Sequence, residues 1–153
     1  MTLRLGSLTR KELIFPDLSG RDRAGILREL AERIEERGLI DSAQDVAARL
    51  LERERLGSTG IGAGIAIPHC KVDGLKEPIL ALGIARHGVD FEAGDGKAVQ
   101  LFFLLVSPTA AAAQHLQMLA AISRWVRSGG KVDDILALDG AEAIHQYLLN
   151  CEG

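Results

Sequence analysis

The sequence predicts an α/β domain. Some segments repeat apolar residues at helical spacing, and others hold them in short unbroken runs. The two kinds succeed one another along the chain. One run, VQLFFLLV at 99–106, is apolar almost throughout, as expected of a central strand covered on both faces. The 153 residues suit one domain, taken as 1–153, with no repeat, low-complexity tract or linker to divide them.

Leu13 to Phe15, ended by Pro16, reads as a first short strand. Ser19, with Asp22 three residues on, reads as the cap of a helix over 20–37 that buries Ile26, Leu27, Leu30 and Ile34 and stops at Gly38. Its outer face carries Arg28, Glu29, Glu32, Arg33, Glu35 and Glu36, a mixed set expected to be solvated. Ser42 and Asp45 repeat the start signal for a second helix, buried through Val46, Ala47, Leu50 and Leu51 and ended by Gly57. A glycine-rich loop, GSTGIGAG, leads into the apolar run Ile65 to Ile67, then Pro68 and His69. Strands are expected at 79–85 and 99–106, joined by a turn-rich segment from His87 to Lys97. Ser107, Pro108 and Thr109 signal the next helix, with a buried stripe of Leu116, Leu119, Ile122 and Val126 and a stop at Gly129 and Gly130. A short helix near Val132 to Leu136 follows. The last helix is expected to be capped by Asp139 and Glu142, with Ile144, Tyr147 and Leu148 inward.

Composition narrows the function. Hydrophobic residues make up 47% and charged residues 25%, which argues against disorder. Aromatics reach only 4% and the net charge is −3, so neither stacked bases nor a basic surface points to nucleic acid. No apolar run reaches the ~20 residues that span a bilayer, and no secretory signal core is visible, so no membrane insertion is expected. Cys70 and Cys151 are too few for a disulfide framework and form no CxxC pair, which fits a reducing cytoplasm and no metal.

The glycine-rich loop is not a nucleotide motif. It lacks a Gly-Lys followed by Ser or Thr, and the helix precedes it where a dinucleotide fold would place the strand. Its spacing suits either a tight helix-to-strand connection or backbone N–H groups converging on an anion. His69, after a buried strand and a proline, is either a structural histidine or a nucleophile, because neutral imidazole can take up a phosphoryl group without a separate base. Arg53 lies on the seam of the second helix's buried face, so its guanidinium can reach past the helix end toward the loop, a geometry suited to phosphate. Arg49, Arg55 and Lys71 are nearby cations that read as solvated or helix-end charges. His115, alone, reads as a packed polar residue. Cys70 cannot readily pair with His69, since neighbours in an extended segment point to opposite sides. His87 and His145 are expected at the surface, and Asp73, Asp90 and Asp95 form no paired carboxylates.

The stretch Gly57 to Cys70, GSTGIGAGIAIPHC, with RER before it, strongly resembles the fructose/mannitol-type enzyme IIA of the bacterial phosphotransferase system, most of all its nitrogen-regulatory branch. LFFLLVSP and HLQML around His115 match in type and spacing, and the two ends match only in general character. The resemblance implies a three-layer sandwich, a mixed sheet with helices on both faces. It also implies that His69 is phosphorylated by a histidine-containing phosphocarrier protein, that His115 hydrogen-bonds the phosphoryl group and that Arg53 helps hold its charge. Ser58, Thr59, Gly60, Ile61 and Gly62 would form the loop beside it, with no cofactor and no metal. A shallow apolar surface with a polar rim is expected around His69 for the incoming partner. The chain carries no attached enzyme IIB domain or permease, which favours a phosphotransferase with a regulatory output in nitrogen or potassium metabolism, acting on targets such as sensor kinases or potassium transporters. The alternatives are a sugar-specific enzyme IIA serving a separate enzyme IIB, and a binding module that is never phosphorylated.

Overall fold

A computed structural model describes residues 4–129 and 131–151. The elements follow in the order β1 (Ile14–Phe15), α1 (Arg23–Glu36), α2 (Ala43–Arg55), β2 (Gly60–Gly62), β3 (Ile65–Ala66), β4 (His69–Val72), β5 (Ile79–Val89), β6 (Val99–Pro108), α3 (Ala112–Arg127), α4 (Val132–Leu136) and α5 (Ala141–Asn150). β6 is central. β5 pairs with it antiparallel and carries β1 in parallel on its other side. β3 and then β4 run parallel along the opposite edge of β6, and β2 folds back on β3. The sheet is mixed, as expected.

Alternation along β6 explains its unbroken apolar run. Phe102, Leu104 and Val106 face a core built with Ile26, Leu30 and Ile34 of α1 and Val46 and Leu50 of α2. Leu101, Phe103 and Leu105 face a second core with Met118, Ile122 and Trp125 of α3, Ile135 of α4 and Ile144 and Leu148 of α5. A strand between two helical layers needs apolar side chains on both faces. The result is the expected three-layer sandwich. Among the described residues no helix is long and apolar enough to cross a membrane.

Several local expectations change. Asp22, not Ser19, caps α1 by accepting from the Gly25 N–H, because the Ser19 hydroxyl is turned to the Glu29 carboxylate, which also holds the Ser19 and Gly20 N–H groups. Glu35 likewise accepts from the Ala43 N–H at the start of α2, so two acids of the outer face serve as backbone acceptors. Ser42 caps α2 as expected. The glycine-rich loop includes a strand, β2, and His69 begins another. β5 extends to Val89, four residues further than the expected strand.

Ser107 and Pro108 end β6, and α3 begins at Ala112 without a side-chain cap. The stripe of α3 is rotated from the expected one: His115, Met118, Ala121, Ile122 and Trp125 are buried, Leu119 and Val126 are half-buried, and Leu116 is 66% exposed. Residues 116–126 are apolar around most of the helix, so periodicity alone leaves the phase open; Trp125, edge-on to Phe103 at 5.6 Å, sets it. Gly140, at φ +92°, precedes α5 in place of an Asp139 cap. His145 is half-buried rather than exposed and donates to the Gly6 carbonyl. Gly130, paired with Gly129 as the expected stop of α3, lies outside the described residues.

Gly83 of β5 pairs with Phe15 and Phe102, and a Cβ on it would stand 2.5 Å from Leu18 Cδ1 and 2.8 Å from Leu30 Cδ2. Gly83→Ala is therefore expected to lower the unfolding free energy by about 1–3 kcal/mol. Urea titration reads this directly, and an unchanged midpoint would show that the two leucines give way freely.

Candidate functional site

His69 stands where the edge of the sheet resumes. Between β3 and β4 the Ile67 N–H turns to Thr59 while the Pro68 carbonyl still accepts from Leu105 of β6, and β4 continues in the same register with His69 opposite Leu105. Cys70 turns into the α1/α2 core, so His69 turns toward α3. Its ring is half-buried, and Nδ1 lies 2.7 Å from the Ile67 carbonyl oxygen. A carbonyl oxygen only accepts, so Nδ1 carries the proton and Nε2 keeps its lone pair. Nε2 is thus the ring's nucleophilic atom.

His115 faces it from the first turn of α3. The ring centroids are 5.4 Å apart and the planes are inclined by 58°. His115 is only 4% exposed, and its Nδ1 lies 2.7 Å from Ser107 Oγ. Burial, then the positive charge available to His69 and Lys71, lowers its pKa from 6.5 to about 4. The ring is neutral at physiological pH.

The loop is anchored more than it is open. Glu54, in the last turn of α2, is 2% exposed and accepts from both the Thr59 N–H, at 3.0 Å, and the Thr59 hydroxyl, at 2.5 Å. The Thr59 carbonyl accepts from the Ile67 N–H, which ties the loop to the residue that holds His69. Ser58 donates its hydroxyl to the Phe91 carbonyl and accepts from the Gly60 N–H. These side-chain hydroxyls and two of the backbone donors therefore already have partners. Gly62, Ala63 and Gly64 all have positive φ, from 57° to 90°, making the tight β2–β3 turn in which glycine relieves the backbone. Arg53 donates one N–H to the Gly57 carbonyl at 2.9 Å, placing its guanidinium where the loop begins and leaving further donors for an anion.

The other candidates separate. Arg49 pairs with Asp45 and Arg55 with Glu52 on the surface of α2. Burial pushes the Cys70 thiol up to about 12, so it stays protonated. His87 donates to the Gly20 carbonyl, away from the pair of rings. Among the described residues no group of three His, Cys, Asp or Glu is placed to hold a metal ion. A cleft of ≈ 770 Å³ lies between the α1–α2 and β4–β5 connections and includes neither histidine. Leu56, at the end of α2, Ile61, in β2, and Leu116, next to His115 in α3, are the exposed large apolar residues among those described.

Two residues escaped sequence reasoning. Glu54 had a signal: an acid in the last turn of a helix opposes the helix dipole and calls for a specific partner. Ser107 had one too, since it continues the Leu101, Phe103, Leu105 face of β6 toward α3.

Residues 7–151 match the family model described as phosphoenolpyruvate-dependent sugar phosphotransferase system, EIIA 2. A nitrogen regulatory protein of Pseudomonas aeruginosa is 35% identical over 136 residues, which cover 89% of this chain and 88% of that protein. A fructose-specific EIIA component of a phosphotransferase system from Haloferax volcanii is 31% identical over 144 residues, 94% of each chain. The crystal structure of the nitrogen regulatory protein IIA-Ntr from Neisseria meningitidis superposes with a TM-score of 0.85 at 31% identity, covering 94% of this chain and 98% of that one.

The burial of His115 gives stability a pH dependence of definite sign. Its pKa is about 4 when folded and 6.5 in the reference state, so between these values the unfolded chain binds the additional proton. Stability from this group is complete above about 6.5 and is withdrawn as pH falls toward 4. The loss of unfolding free energy from pH 7 to 4 is expected to be smaller in His115→Gln than in the parent. An NMR titration of His115 with a midpoint near 6.5 would contradict the assignment.

Proposed function

The chain belongs to the EIIA 2 family of the phosphoenolpyruvate-dependent sugar phosphotransferase system, and from that membership we propose that it is a phosphoryl relay whose acceptor atom is Nε2 of His69. The observation that carries the assignment is the bond from His69 Nδ1–H to the Ile67 carbonyl, which leaves Nε2 with its lone pair on a half-buried ring. The donor is a histidine-containing phosphocarrier protein. Nε2 attacks phosphorus in line as the phosphorus–nitrogen bond to the carrier breaks, and that bond's electron pair returns to the carrier imidazole. His69 keeps its Nδ1 proton throughout. No covalent chemistry is needed beyond this exchange, so catalysis is positioning and electrostatic stabilisation of the phosphoryl oxygens.

His115 and Arg53 are the groups proposed to meet those oxygens. His115 is neutral and adjacent, so it offers an N–H, whereas Arg53 offers charge and several donors from the start of the loop. Ser58 and Thr59 shape the loop through the bonds they already make, and Gly60, Ile61 and Gly62 form β2 against β3. Leu56, Ile61 and Leu116 provide apolar contact for the arriving carrier, in keeping with a small transient interface. One domain, 1–153, carries this relay.

The relay's output is regulatory, in nitrogen or potassium metabolism. Likeness to proteins named nitrogen regulatory, at 35% identity and nearly full coverage, supports this over sugar transport. The targets belong to the class of sensor kinases or potassium transporters.

Incubation with phosphoenolpyruvate, the first enzyme of the system and the phosphocarrier is expected to place an acid-labile, alkali-stable phosphate on the protein, absent in His69→Ala. Equal labelling of that variant would sink the assignment. His115→Ala is expected to accept label but to transfer it about a hundredfold more slowly, as when one donor to a developing oxyanion is removed. Parent-like rates in both directions would remove His115 from the mechanism.

A further inference from the structure

We propose that Ser107 is a positioning residue of this relay: its hydroxyl fixes His115 as the tautomer protonated on Nε2 and presents that N–H to the phosphoryl group on His69. The consequence for transfer rests on the relay reading above; the hydrogen bond itself does not.

The hydrogen bonds determine the tautomer. Ser107 is fully buried, with Oγ 2.7 Å from His115 Nδ1. A buried hydroxyl must place its proton on an acceptor, and among the described residues Nδ1 is the partner of Oγ. Ser107 therefore donates to Nδ1, so Nδ1 is unprotonated. A neutral imidazole then carries its proton on Nε2. The reverse arrangement would strand the hydroxyl proton in a closed interior.

Register explains why a serine reaches this place. Lys71 of β4 pairs with Ser107 of β6 and His69 with Leu105, so Ser107 and His69 lie on the same face of neighbouring strands, both toward α3. The two imidazoles are thereby set in opposite senses. His69 gives its Nδ1 proton to a carbonyl and keeps a lone pair on Nε2; His115 gives its Nδ1 lone pair to a hydroxyl and keeps a proton on Nε2. One ring is prepared to bond phosphorus and its neighbour to donate to phosphoryl oxygen. His115 also has no lone pair left with which to compete for the phosphoryl group.

The test is nitrogen-15 NMR of the unphosphorylated full chain, combined with transfer kinetics from the phosphocarrier. In the parent, His115 is expected to show protonated Nε2 and unprotonated Nδ1. Ser107→Ala is expected to mix the tautomers and to slow transfer about three- to tenfold in kcat, the range for one lost hydrogen bond. KM for the carrier should stay unchanged, because Ser107 has no surface to offer it. Ser107→Thr, which restores the hydroxyl, should recover both readouts. A protonated Nδ1 in the parent overturns the proposal without any variant having to fold. So does a Ser107→Ala protein that keeps the single tautomer and parental kcat. Absence of label on parental His69 would overturn the relay reading instead, while the NMR result would still decide the Ser107 bond.

Discussion

The hydrogen bond between His69 Nδ1–H and the carbonyl of Ile67 is the contact on which the rest of the site depends. It decides which imidazole nitrogen holds a lone pair, and it does so through backbone, whose position is set by the fold. Ile67 is itself held by its N–H to Thr59, and Thr59 by its N–H and hydroxyl to the buried Glu54 carboxylate at the end of α2. A continuous chain of bonds thus runs from the second helix to the His69 ring. Pro68 stiffens the last link, because its fixed φ limits how His69 can swing relative to the carbonyl it uses.

The sheet supplies the remaining constraint. Alternation puts Cys70 in the α1/α2 core and leaves His69 and Ser107 toward α3, so the site is assembled by parity. β3 and β4 keep one register along β6, and between them the Pro68 carbonyl accepts from the Leu105 N–H.

Much of this was legible in the sequence. Capping and periodicity located α1 and α2 to within a few residues, VQLFFLLV announced the central strand, and the Pro-His motif singled out His69. What escaped depended on contacts between distant segments. Ser19 looked like a cap, but Glu29, ten residues on, holds its hydroxyl as well as its N–H. Ser107 looked like a helix signal because Ser-Pro-Thr is turn chemistry, whereas the strand runs through it and sends its hydroxyl to His115. The face of α3 was misjudged because its apolar residues nearly encircle the helix, and Trp125 against Phe103 settles what spacing alone leaves open. The approach of His69 to His115 joins residues forty-six positions apart, and no local pattern encodes such a distance.

The unequal burial of the two rings suits the relay proposed above, with His69 as acceptor, His115 as supporting donor and Arg53 as the charge beside them. The acceptor must be reached by a second protein, so its ring is only half-buried; the supporting donor need never meet solvent, and 4% exposure keeps its geometry fixed. Burial also sets its charge. A buried imidazolium would hold a phosphoryl dianion strongly in the resting state, lowering the ground state along with the transition state and slowing departure. A pKa of about 4 keeps His115 neutral, so it can orient the phosphoryl oxygens without a full buried charge. Full charge is left to Arg53, half-exposed at the start of the loop, where solvent moderates its hold. Tight enough to receive and loose enough to release is a balance that one neutral buried donor and one peripheral cation can strike, and a site lined with buried cations would not.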